Sequence, residues 1–195
     1  MRLQYNAPVV LTFTLLCTAV MAMKSFLFID LTPYFFIGGT MDPTNIIDYF
    51  RLVSHTIGHG NWEHLVANMS YILLLGPILE EKYGSKPLLM MMLLTALITG
   101  LLNVIVFDDG LLGASGIVFM FILLSSVVNV QKGRIPMTFV LVLMLFLGQE
   151  IISIFRDDNI SQFAHILGGI CGAIFGFNSS LGKPGKKRSK VKILS

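Results

Sequence analysis

Six apolar stretches, each close to the length of a bilayer crossing, constrain this chain more than any other feature. A hydrocarbon core about 30 Å thick calls for roughly 20 apolar residues in a helix. Segments at about 8–29, 62–79, 87–107, 112–130, 136–155 and 163–177 meet or approach that length. The first is interrupted only by Lys24 near its end, where a lysine can snorkel to the interface. A cleaved leader is the weaker reading of it, because the run is long and only Arg2 precedes it as a cation. Composition agrees: 54% of residues are hydrophobic and 13% charged, too little charge to coat a soluble domain. The expectation is an all-α, polytopic membrane protein, a six-helix bundle at 1–182 with a basic tail at 183–195.

The loops are short except for 30–61. That stretch holds Pro33, Gly38, Gly39 and Pro43, then the aromatic-rich run Ile46-Ile47-Asp48-Tyr49-Phe50-Arg51-Leu52-Val53. Such a run suits the headgroup region better than a crossing, which predicts a membrane-associated loop between the first two helices. With six crossings, eleven lysines and arginines share one side, among them Arg2, Lys82, Lys86, Lys132, Arg134 and the tail. Lys24, Arg51 and Arg156 lie on the other. The bias puts both termini in the cytoplasm. The tail then reads as an anchor beside anionic lipid rather than a nucleic-acid arm.

In this topology the second, fourth and sixth helices all begin at the outer face. The fourth opens with Gly113-Ala114-Ser115-Gly116, a weak motif on its own, in which the serine could simply be a packing residue. The sixth carries His165, Gly168, Gly172 and Gly176. At 100° per residue the glycines fall within about 60° of the histidine, forming a thin stripe against which another backbone can pack. Gly113 and Gly116 offer a matching surface. Ser115 and His165 each follow an acid, Asp108 and Asp158, by the same interval, which predicts matching depth. A serine beside an imidazole is a route to nucleophilic attack on a carbonyl, with the histidine as base and then acid.

Acyl transfer also needs donors for the developing oxyanion. Ser115 sits at a helix N-terminus, where backbone N–H groups are unpaired. His64 and Asn68, four apart at the start of the second helix, can donate toward the same cavity. No acid is placed to orient His165, so a dyad is expected, with the Phe119 ring one turn below Ser115 available to support the imidazole. His55, His59 and His64 invite a zinc reading, but no cysteine or suitably directed carboxylate completes a set, and Glu63 points elsewhere. His55 and His59 read instead as braces for the outer loop. Cys17 and Cys171 lie inside apolar segments and suggest neither a disulfide nor a metal site. For Glu150, three readings stay open: a water-filled cavity, a pair with Arg156, or a snorkelling acid.

Arg51, His55, His59, His64, Asn68, Glu80, Gly84, Gly113-Ala114-Ser115-Gly116 and Ala164-His165-x-x-Gly168-x-x-x-Gly172 together resemble the rhomboid intramembrane serine proteases across most of the chain. The resemblance implies Ser115 as nucleophile, His165 as general base, and His64, Asn68 and the Ser115 backbone N–H as oxyanion partners. It also implies that Glu80 helps hold the helix ends, Arg51 the outer loop, and that the fifth helix is the lateral gate. Two positions depart from the family pattern: Phe50 stands where Trp is common, and Phe119 where Tyr is common.

The expected activity is hydrolysis of peptide bonds in or near transmembrane segments of other membrane proteins, without a cofactor. The expected setting is a bacterial inner membrane, because no soluble domain or seventh helix is appended in this sequence. Substrate helices with small or helix-breaking residues near the outer interface would unwind most readily. Two rivals are a silent rhomboid-like protein that binds membrane clients, which predicts loss of the serine or histidine, and a transporter, which predicts ionisable residues spread through the membrane depth.

Overall fold

The computed structural model describes residues 4–106, 110–127, 135–154 and 162–178. Among these the regular elements are all helices, apart from one isolated two-residue bridge between Ile37 and Leu111. The helices are α1 (Pro8–Phe26), α2 (Thr32–Phe35), α3 (Ile46–Ser54), α4 (Trp62–Tyr83), α5 (Ser85–Val106), α6 (Ser115–Ser126), α7 (Met137–Ile154) and α8 (Gln162–Phe177). By length and apolarity, α1 and α5 can each cross a membrane, whereas α6 and α8 are shorter apolar helices of 12 and 16 residues.

Each helix that frames the site starts for a local reason. In α1, Pro8 tolerates the first turn because its missing N–H would be an orphan anyway. No local side chain caps that turn. Instead the Glu80 carboxylate, from the far end of α4, accepts from Val9 N at 3.1 Å and Val10 N at 3.0 Å. Asn61 caps α4 by accepting from His64 N at 2.8 Å, which fixes His64 on the first turn. The helix stops at Gly84, whose φ of +88° suits a residue without Cβ, and α5 follows at once.

The long outer loop folds into α2 and α3. Asn45 caps α3 through Ile47 N, and Asp48 receives the Asp42 N–H, the Asn45 amide and the Arg51 guanidinium. Arg51 Nε also donates to the Pro33 carbonyl at 2.8 Å, tying α3 to the turn that begins α2. The backbone of α3 lies directly on α5, since a Cβ at Gly100 would collide with the Leu52 carbonyl. Ile46, Ile47, Tyr49 and Phe50 point outward, the pattern of an interfacial segment.

The fourth apolar segment departs from its expected form. Instead of a helix from residue 112, the backbone at 110–114 is extended or bent, and α6 begins only at Ser115. The cause is long-range pairing: Ile37 and Leu111 exchange two backbone hydrogen bonds, of 3.2 and 2.8 Å, and Gly113 N donates to the His55 carbonyl at 2.9 Å. Gly113 adopts φ +119°, a conformation that glycine alone adopts cheaply. It therefore adds no thin surface to α6, and Gly116 is the α6 glycine at the contact with α8. Asp108, Asp158, Arg156 and the tail lie outside the described residues, as does the Glu150 side chain.

Candidate active site

Among the described residues the α6–α8 pair is the most extensively packed, and glycine makes it so. A Cβ at Gly168 would collide with the Gly116 carbonyl, and one at Gly172 with the Met120 carbonyl, so backbone meets backbone. One at Gly116 would lie 3.3 Å from the Ala164 carbonyl oxygen. Gly116 follows Ser115 and Ala164 precedes His165, so the immediate neighbours of the two residues touch. Ser115 is the first residue of α6, and His165 lies in the first turn of α8; both are half-buried. The Phe119 ring packs on the His165 imidazole with centroids 4.3 Å apart and planes inclined by 37°.

His64 approaches from α4. A Cβ on Gly113 would stand 2.5 Å from His64 Cε1 and 2.8 Å from Nε2, against 3.6 Å from Nδ1. The Nε2 edge of the imidazole is thus turned toward the backbone two residues before Ser115, a space that any side chain at 113 would fill. Asn68 lies one turn further along α4, 6% exposed, and its Nδ2 is buried without a hydrogen-bond partner among the described residues. A buried amide donor without a partner costs roughly 1–3 kcal/mol, and such groups concentrate where a ligand or transient charge completes them.

His55 and His59 stand in the turn after α3, outside the long spanning helices. Both His55 nitrogens have neighbours: Nδ1 is 3.2 Å from the Arg51 carbonyl and Nε2 is 3.4 Å from Thr99 Oγ1. The sequence reading missed Thr99, although Thr95, Thr99 and Asn103 recur every four residues along the otherwise apolar α5 and are all buried. That polar period in an apolar helix was the available signal. His59 packs edge-on against His64, with centroids 5.0 Å apart.

Burial lowers His55 to about 4, and burial together with the adjacent His64 lowers His59 to about 4. Unfolded histidine titrates near 6.5, so both groups favour the folded state fully above that pH and lose this contribution as pH falls toward 4. The loss is at most about 3 kcal/mol for each. The melting temperature in detergent should therefore hold from about pH 8 to 7 and drop steeply between about pH 6 and 4.5. An unchanged melting temperature across that acid range would contradict neutral burial of the pair.

The rhomboid-domain family model matches residues 47–181, which include all of the geometry just described. The chain belongs to the rhomboid family. This rhomboid is 29% identical over 136 residues to the rhomboid protease GlpG of Haemophilus influenzae, covering 68% of this chain and 71% of that protein. It is 28% identical over 134 residues to the chloroplastic rhomboid-like protein 11 of Arabidopsis thaliana, covering 68% of this chain and 45% of the plant protein, less than half its length. The chain is accordingly an integral membrane protein of a family of intramembrane proteases.

Proposed function

We propose that this rhomboid is an intramembrane serine endopeptidase working through a Ser115–His165 dyad. His165 takes the Ser115 hydroxyl proton as Oγ attacks the scissile carbonyl. The resulting oxyanion receives hydrogen bonds from the Ser115 backbone N–H, His64 and the Asn68 amide. Collapse of the tetrahedral intermediate expels the amine, which takes the proton from His165. A water molecule, deprotonated by His165 in turn, then hydrolyses the acyl-enzyme. No step calls for a cofactor. The observation that carries this reading is the glycine-mediated contact that joins the starts of α6 and α8, with Phe119 stacked on His165.

The substrates are transmembrane proteins, cut in or near their membrane segments. A helix of 12 residues is roughly 18 Å long, well short of a hydrocarbon core of about 30 Å. Its recessed start, reached by non-helical backbone at 110–114, supports a wet cavity above Ser115. The chain crosses the membrane six times, through α1, α4, α5, α6, α7 and α8, as one unit at 1–182 with a basic tail at 183–195. Both termini lie in the cytoplasm of a bacterial cell, with Arg51 and Glu80 bracing the outer loop and the inner helix ends. The gate is α7, which among the described residues packs only on α6 and α8.

Incubating the purified protein in detergent with a model transmembrane substrate should yield two fragments, with EDTA making no difference. A fluorophosphonate should label Ser115 and no other serine. Absence of cleavage, or an unlabelled Ser115, would refute the protease reading, and activity lost to EDTA would restore a metal.

A further inference from the structure

Inward of the candidate dyad, a cavity of about 500 Å³ opens between α4, α6 and α7. Its wall includes Tyr71 and Leu75 from α4, Ile122, Ser125 and Ser126 from α6, and Thr138 from α7. Helical periodicity joins it to the catalytic side. On α6, Ile122 and Ser126 fall within about 20° of Ser115. On α4, Leu75 falls within about 20° of Asn68, and Tyr71 within about 60°. The floor of the cleft is therefore the Ser115 face of α6, continued inward for about two to three turns. Among the described residues α4 and α7 do not pack on each other, so the cleft opens sideways between them.

The residues around this cleft carry hydroxyls in an otherwise apolar setting. Ser125 and Ser126 donate to the Ile122 and Leu123 carbonyls at 2.8 and 2.6 Å, so their oxygens are left to accept. Tyr71 is 50% exposed, and its hydroxyl has no hydrogen-bond partner among the described residues. It lies nine residues into α4, roughly 14 Å from the outer end, which is mid-bilayer in the six-crossing topology. At that depth lipid tails offer a phenol nothing to bond, and an unpaired hydroxyl in hydrocarbon is costly.

We propose that the cleft seats the part of a substrate's transmembrane segment inward of the cut, and selects a carboxamide side chain there. The occupant follows from continuity, since a segment cut at Ser115 continues inward along the same face of α6. The carboxamide of asparagine or glutamine matches the lining. Its carbonyl accepts from Tyr71, and its NH₂ group donates to the serine oxygens. An aliphatic side chain leaves the phenol unpaired, and a charged one brings an uncompensated ion to mid-membrane. Spacing follows as well. Ile122 and Ser126 stand seven and eleven residues after Ser115, which spans roughly 11–17 Å of helix. A helical substrate segment covers that distance in about seven to eleven residues. The inference rests on the protease reading and adds to it a feature of the substrate.

A glutamine scan along an otherwise all-leucine model substrate in proteoliposomes tests the selection. kcat/KM should rise about fivefold, the worth of one or two hydrogen bonds in a membrane, with glutamine about seven to eleven residues inward of the cut. Tyr71→Phe, which keeps the ring, should bring that glutamine substrate down to the leucine one. A rise that survives Tyr71→Phe, or one that ignores position, would overturn the proposal. A second measurement needs no turnover. The substrate carries a benzophenone side chain about nine residues inward of the intended cut and is irradiated with folded Ser115→Ala protein. The crosslink should fall on α4, α6 or α7 around the cleft, and a crosslink confined to α1 or α5, or none, would overturn the proposal. A crosslink in the cleft beside a wild type that does not cleave would strike the protease reading alone.

Discussion

Ser115→Ala should abolish cleavage of a transmembrane substrate, and His165→Ala should come close to doing so. The two groups form one proton-transfer unit, and in hydrolases of this kind removing either member costs on the order of 10⁴-fold in kcat or more. The double replacement should therefore be no worse than either alone, whereas independent contributions would multiply. KM should change little, since neither side chain is expected to hold the substrate before attack. Both variants should fold, because the α6–α8 contact is made by Gly116, Gly168 and Gly172 rather than by these two side chains. Cleavage that persists in folded Ser115→Ala would sink the dyad.

Gly168→Val should disable the protein by a different route. A Cβ at that position already collides with the Gly116 carbonyl oxygen and comes within 2.8 Å of its carbon and 2.9 Å of the Gly116 Cα. All three atoms are backbone, so no rotamer can relieve the clash. Overpacking a core by a few methyl groups costs about 1–3 kcal/mol where side chains can yield. Here the helices themselves must part, and total stability is only about 5–15 kcal/mol. We expect a melting temperature lower by more than about 5 °C and loss of cleavage as Ser115 and His165 separate. Ile174→Val, on the exposed side of the same helix, should leave both intact. A Gly168→Val protein with wild-type stability and rate would disprove the close-contact reading.

These positions show what the sequence made legible. The apolar runs located the long helices because each depends on local composition, and α1, α4, α5, α7 and α8 start within a residue or two of where their runs begin. The glycines of α8 were visible as a stripe because helical periodicity is local too. Gly113 misled, since apolar neighbours gave no hint that its amide is taken by the His55 carbonyl across the outer loop. The Ile37–Leu111 bridge was equally hidden, as two residues far apart in sequence exchange backbone groups that carry no side-chain signature. His59 was read as a brace for the same reason. Its contact with His64 depends on how the turn after α3 is laid against α4, which no spacing encodes.

The Glu80 carboxylate gives α1 a history as well as a place. The amides it receives, at Val9 and Val10, precede it by 71 and 70 residues. At about 5–20 residues per second, a ribosome needs on the order of 4–14 s to supply that much chain. Throughout that interval the first turn of α1 has no protein acceptor for these two amides and must leave them to water or headgroups. Docking of this turn of α1 therefore waits on the far end of α4. Few of the other side chains of α1 are buried, so this contact is a principal tie between its first turn and the bundle.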